Sequence, residues 1–251
     1  AKKPFFFFFF YYNTHWPFNA VDYKSKDKKS FKKVLKNIDF KSQKEFVKKM
    51  VTDSKLYGIN SVNDLNNKYD LSLKSIDSQV GRLFNYLSEK NLLDDSLIFI
   101  LGDHSWRLNE HNIYFNGYGL YEESIHTPLI IKIPKTYKLV PRQINSLVQN
   151  TDIAPTVLEF LNDKKDYGFD GKSLIPCLKK EVAVREKAYS FDGIANDSKS
   201  VRTLNKKFII SKDPTCLRCK SKHAKNFEEY DLIKDPLELN NVYNGKSELE
   251  F

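Results

Sequence analysis

Apolar residues fall in short unbroken runs near the start and in the middle of the chain, with one long stretch between in which they recur every three or four positions. The first run, Phe5 to Tyr12, is wholly aromatic and ends at Asn13 before a turn at Pro17. A run with no polar alternation predicts a central strand covered on both faces, with His15 in the loop that follows it. From Ala20 to about Asn60 the chain is charged and irregular, with one amphipathic helix expected near Gln43 to Met50. Between Asn63 and Lys90, Tyr69, Leu73, Ile76, Val80, Leu83, Phe84 and Leu87 keep helical spacing, which predicts a long amphipathic helix. Ser96 to Leu101, closed by Gly102, and Pro128 to Ile133, closed by Pro134, are short apolar runs that predict buried strands. Asp152-Ile153-Ala154-Pro155-Thr156 opens a helix through Leu161 with Asp152 as its expected N-cap.

Strands alternating with helices predict an α/β fold. Past Asp163 the pattern changes: Ala188 to Phe191, Ser200 to Thr203, Lys207 to Ile210 and Glu228 to Leu232 read as short strands between polar turns. The organisation expected is therefore an α/β domain over residues 1–165 and a small C-terminal antiparallel subdomain, α+β in class, over residues 166–251.

Composition narrows the function classes. The chain has 251 residues, enough for a sizeable core, and its 19 Phe and 14 Tyr argue against disorder. The net charge of +9 comes from Lys scattered among Asn and Asp, with no nucleic-acid reading element beside it, so no nucleic-acid partner is expected. Three cysteines, Cys177, Cys216 and Cys219, are too few for a disulfide framework, and the lone CxxC of Cys216 and Cys219 reads as a surface turn. No small-residue cleavage site follows Phe5 to Phe10, so the run is a poor signal peptide. No stretch reaches the roughly 20 apolar residues of a transmembrane helix. A chain that opens on a buried strand leads to the expectation that a segment upstream is missing, and any membrane association is expected only through that segment.

Two places carry candidate chemistry. Asp103-His104 follows the strand Ser96 to Leu101, and ligands of open α/β sheets collect at the carboxyl ends of strands. Carboxylate and imidazole are competent metal ligands, although two ligands alone are as compatible with a capped loop. His15 stands at the end of the aromatic run, where an imidazole can donate to an anionic ester oxygen or protonate a leaving group, or serve only the turn at Trp16-Pro17. His111 and His126, on either side of Gly117-Tyr118-Gly119, are expected to be structural, and His223 has no expected role.

Taken in order, these residues resemble the sulfatase family of the alkaline phosphatase superfamily. Lys3-Pro4-Phe5-Phe6 through His15-Trp16-Pro17-Phe18 is similar to the family's strand and His-x-Pro-Phe motif. Leu92 through Gly102-Asp103-His104 is similar to its Asp-(His or Asn) metal motif. Asp77 with Gly81-Arg82-Leu83, Glu110-His111, Tyr121-Glu122-Glu123-Ser124, Thr127 to Ile131, Asp152 to Thr156, and Tyr230-Asp231-Leu232 with Asp235-Pro236 continue the likeness over nearly the whole chain. The resemblance implies a sulfatase-like mixed sheet flanked by helices, hydrolysis of sulfate esters on a glycan or other polar substrate, and an extracytoplasmic location. It also implies Asp103 and His104 as ligands of a divalent cation, calcium in the sulfatases, with His15 as the catalytic group on the substrate's anion.

Two departures bear on this. The family's nucleophile motif, Cys/Ser-x-Pro-x-Arg, does not occur, and Cys177 follows Pro176 in another context, so the chain by itself is expected to be inactive. Many sulfatases also place a sulfate-binding Lys in the loop after the metal motif; alignment puts Asn116 or Gly117 there, and these become the candidate substrate-binding positions. Relatives that cleave or transfer phosphate esters, with Mn2+ or Zn2+ in place of Ca2+, use an Asp-His pair without that Lys, so a phosphorylated substrate stays open. An inactive binding module is the third alternative.

Overall fold

The computed structural model of the chain describes residues 4–18, 49, 52–53, 58–108, 111, 114–116, 119–163, 165–180, 182–192, 197–215, 222, 224–249 and 251. It divides into two compact units, Ala1–Leu93 and Asp94–Phe251. The helix expected at Gln43 to Met50 falls almost wholly outside the described residues, as do Gly117, Cys216, Cys219 and His223.

In the first unit, helix α1 spans Val62–Glu89. Its start is fixed by a reciprocal cap: Asp64 N–H donates to Ser61 Oγ at 3.1 Å while the Asp64 carboxylate accepts from Asn60 N–H at 2.9 Å. Its end is a Schellman turn. Asn91 takes the left-handed conformation at φ 52°, and the N–H groups of Leu92 and Asn91 donate to the carbonyls of Leu87 and Ser88. Phe18, Ile59 and Leu65 are buried, and Phe18 meets Tyr69 edge-on at 5.5 Å.

The aromatic run does not form the strand expected of it. Residues 5–10 pair with no strand among the described residues, and their rings are exposed, Phe6 at 82% and Phe8 at 77%. An apolar run states a demand for cover, and a strand forms only where a partner edge satisfies the backbone N–H and C=O groups.

The second unit begins with strand β1, Ile98–Leu101, paired antiparallel with β4, Leu129–Lys132, so that Ile98 faces Lys132 and Leu101 faces Leu129. Between them lie the short hairpin strands β2, Arg107–Leu108, and β3, Tyr114–Asn116, and helix α2, Glu122–Ile125. Both apolar runs are strands as expected, but half-buried, with Leu101 and Ile130 exposed.

Helix α3, Ile153–Phe160, follows a turn of 3-10 helix at Asn150–Asp152. Asp152 precedes the helix, yet its side chain caps none of the helix's own N–H groups. Its buried carboxylate instead accepts from Gln149 N–H at 2.7 Å and Lys172 N–H at 2.8 Å and pairs with Arg185. Thr156, also buried, donates to Asp152 O and accepts from Leu174 N–H at 2.9 Å. The Asp-x-x-x-Thr spacing thus puts both side chains on one face of the helix entry, where they anchor the segment leading to helix α4, Ile175–Lys180.

The C-terminal sheet is a four-stranded antiparallel meander of β5 (Ala188–Asp192), β6 (Ser198–Arg202), β7 (Lys206–Ser211) and β8 (Phe227–Asp231). One small core gathers Leu120, Tyr121, Ile209 and Tyr230, and another gathers Val201, Phe208 and Leu249.

Candidate active site

Strand β1 ends at Leu101, and the next residues form an exposed loop carrying Asp103 and His104. Gly102 sits there at close approach to the neighbouring strand's entry. Its N–H donates to Pro128 O at 3.2 Å, and a Cβ would stand 3.2 Å from Thr127 Cβ. Asp103 Oδ1 accepts from His104 N–H at 2.9 Å. His104 Nδ1 lies 2.9 Å from Ser105 O, a contact that needs Nδ1–H as donor and so leaves Nε2 as the basic nitrogen. Ser105 N–H donates to Ser124 O at 2.9 Å, which ties the loop to α2. On the other side Asn150 Nδ2 donates to Gly102 O at 3.0 Å and, more weakly, to Asp103 O at 3.4 Å.

This arrangement suits a cation. A metal-ligating histidine characteristically donates its second ring N–H to a carbonyl, which is how His104 meets Ser105. Asp103 and His104 offer two ligand-competent side chains, and among the described residues no third His, Cys or acidic group gathers with them.

His15 belongs to the first unit. Its Nδ1 lies 2.7 Å from Trp16 O, its ring stacks on Tyr12 at 4.2 Å, and the Trp16–Pro17 peptide is cis. Asn116 ends β3 opposite Arg107, and Gly117 lies outside the described residues.

The one group of three metal-competent side chains among the described residues is His111, Glu123 and Glu238. It reads as structural, because Glu238 already faces the Lys207 ammonium and Glu123 faces His111 at 3.5 Å. Lys207, wholly buried, stands 2.8 Å from Glu238 and 2.7 Å from Glu122 and donates to Leu120 O at 3.0 Å. Glu238 Oε2 accepts from Glu122 N–H at 2.5 Å. Burial pushes the Glu122 carboxyl up, but the Lys207 ammonium and the Arg202 hydrogen bonds outweigh it and hold the group down to about 2. For Glu238 burial outweighs Lys207, and its carboxyl sits above the usual range. His111 stacks on Tyr121 at 3.9 Å with Nε2 3.1 Å from Leu237 O. His126 is exposed beside Glu122.

Sequence reasoning missed Asn150 and Lys207. Nothing in the local pattern marks either: one is a polar residue at a helix entry, the other one Lys among many.

Residues 1–163 match the family described as Sulfatase. The chain belongs to the sulfatase family. Residues 109–251 match a second family description, N-sulphoglucosamine sulphohydrolase, C-terminal. An N-acetylglucosamine-6-O-sulfatase of Bacteroides thetaiotaomicron is 31% identical over 194 residues, covering 72% of this chain and 32% of that protein. A multifunctional alkaline phosphatase superfamily protein, PehA, of Trinickia caryophylli is 33% identical over 106 residues, 42% of this chain and 20% of its own length. The sulfatase chain thus spans about a third or less of the length of these relatives. An extracellular sulfatase SULF-1 homolog of Drosophila melanogaster is also among them, 30% identical over 116 residues, 46% of this chain and 10% of that protein.

Among solved structures, the complex of BT4656 with its substrate D-glucosamine-2-N,6-O-disulfate superposes at a TM-score of 0.57 and 24% identity, covering 88% of this chain and 52% of that one. The phosphonate monoester hydrolase of Agrobacterium radiobacter does so at 0.59 and 24%, covering 74% and 40%. These likenesses show an alkaline-phosphatase-like α/β fold. Metal dependence is general in the sulfatase family; among the described residues no helix is long and apolar enough to cross a membrane.

Proposed function

We propose that the protein to which this chain belongs hydrolyses sulfate esters, with a sulfated glycan or another polar sulfate ester as substrate, outside the cytoplasm. The observation that carries the reading is the exposed Asp103–His104 loop at the end of β1, with His104 Nδ1 turned to Ser105 O and Nε2 left as a ligand. In this reading Asp103 and His104 hold a divalent cation, calcium, and His15 binds the ester's anionic oxygens. The chain positions near Asn116 and Gly117 lie beside the substrate. In the same reading the small C-terminal subdomain, residues 166–251, is a part of the second compact unit.

A bound cation supplies fixed positive charge where negative charge grows on the non-bridging oxygens during attack at sulfur. The chain's own part is to present that cation's ligands on a loop braced from two sides and to offer the His15 ring to the ester's anionic group. No residue here lies in the family's nucleophile motif, so the proposal assigns this chain the cation-binding and ester-binding share of the chemistry.

The sulfated class is supported by the N-acetylglucosamine-6-O-sulfatase relative and by the disulfated glucosamine bound in the BT4656 complex. A phosphate or phosphonate ester is the second reading, favoured by the absence of a Lys at Asn116 or Gly117 and by the likeness to the phosphonate monoester hydrolase. The test is turnover of an aryl sulfate and an aryl phosphate diester by the full-length protein and its Asp103→Ala and His15→Ala variants. Sulfate release, abolished with metal loss in Asp103→Ala and slowed with metal retained in His15→Ala, is the expected result. Phosphodiester turnover with no sulfate release replaces this reading with the second one.

A further inference from the structure

We infer that Asn150 is a positioning residue for the metal-motif loop: its side-chain amide fixes the carbonyls of Gly102 and Asp103 and thereby sets where the Asp103 carboxylate points. The inference rests on the reading of Asp103 and His104 as cation ligands. Asn150 reaches across 48 positions of sequence, with Nδ2 3.0 Å from Gly102 O and 3.4 Å from Asp103 O. The opposite side of the loop is fixed by backbone bonds, Gly102 N–H to Pro128 O and Ser105 N–H to Ser124 O. Asn150 is thus the side chain that holds the loop's carbonyl side, and it acts on the peptide units flanking the Asp103 Cα.

The amide can do this because its own backbone is firmly held. Asn150 starts the 3-10 turn that ends at Asp152. That turn is pinned by the buried Asp152 carboxylate to Gln149 N–H, Lys172 N–H and Arg185, and by Gln149 Nε2 donating to Tyr189 O at 2.8 Å. Gly171 presses on it from outside, and a Cβ there would stand 1.9 Å from Thr151 O. The C-terminal sheet, through Tyr189 of β5, therefore braces the turn that braces the candidate metal loop. An exposed loop left to its own backbone bonds would sample several carboxylate directions, and ordering it on cation binding would then cost conformational entropy. A donor that fixes the loop beforehand removes part of that cost.

Residues that orient metal ligands through such hydrogen bonds typically change metal affinity about 10- to 100-fold when removed. Because Asn150 is exposed, its replacement should leave the fold intact. The test is calcium affinity by isothermal titration calorimetry on the full-length protein, for the unaltered form and for Asn150→Ala, Asn150→Leu and Asp103→Ala, with melting of each metal-free form as a check on folding. Asn150→Leu keeps the branched shape and removes the donor. The expected result is about 10-fold weaker calcium binding in both Asn150 variants with unchanged metal-free melting. Unchanged affinity in Asn150→Ala, or loss in Asn150→Ala that Asn150→Leu restores, overturns the inference while leaving the metal reading intact. Unchanged affinity in Asp103→Ala overturns the metal reading itself, and the inference with it.

Discussion

Replacing Lys207 with Met isolates a buried electrostatic commitment of the second unit. The Lys207 side chain is wholly buried, as is that of Glu238, and Glu122 is 13% exposed, so bulk water screens neither ion pair. Methionine fills most of the lysine volume but leaves two buried carboxylates without their common cation and Leu120 O without its donor. Removing one partner of a buried pair costs about 3–5 kcal/mol. For a folding unit of this size, about 2–4 °C of melting temperature per kcal/mol converts this to roughly 6–20 °C. The two carboxylates are not equivalent: Glu122 keeps Arg202 as a second cation, whereas Glu238 has, among the described residues, Lys207 as its cation and an N–H donor. Adding Glu238→Gln should therefore recover more of the loss than adding Glu122→Gln. Differential scanning calorimetry of the single and double variants gives the coupling directly. A Lys207→Met melting point within about 2 °C of the unaltered protein would refute the assignment of Lys207 as a buried bridge.

The remaining predictions concern the same unit. The Glu122 carboxyl is held down to about 2 from its ordinary 4.5, so its stabilising effect is complete above pH 4.5 and is lost as the pH falls toward 2, where the unfolded chain takes up the proton first. That range corresponds to about 3 kcal/mol, partly offset because the raised Glu238 group acts with the opposite sign. Urea melts between pH 5 and 2.5 should show a flatter acid limb in Glu122→Gln, and parallel limbs would contradict it. Gly171→Ala drives a Cβ into Thr151 O and should destabilise by about 1–3 kcal/mol through displacement of the Asn150–Asp152 turn. Equal denaturation midpoints for Gly171→Ala and the unaltered protein would mean that the turn yields freely.

How much was legible in the sequence follows the range of each interaction. Helix α1 and strands β1, β4 and β5 to β8 were readable because periodicity, caps and turn residues act within a few positions, and each was found close to its expected bounds. The position of Asp103 and His104 just past a strand was legible for the same reason. The exposure of Phe5 to Phe10 was not, since an apolar run specifies that cover is favourable without specifying which surface supplies it. Asp152 had the residue type and place of an N-cap, but three donors from Gln149, Lys172 and Arg185 claimed its carboxylate, two of them more than 15 positions away. Asn150 and Lys207 carried no local signal at all. Asn150 acts on carbonyls 48 and 47 positions away, and Lys207 on a carbonyl 87 positions away. The sequence by itself determined the local elements and the chemistry-bearing loop; the tertiary structure alone decided which buried charges and hydrogen-bond donors meet, because burial makes an unmatched polar group costly and only the folded chain brings its partner within reach.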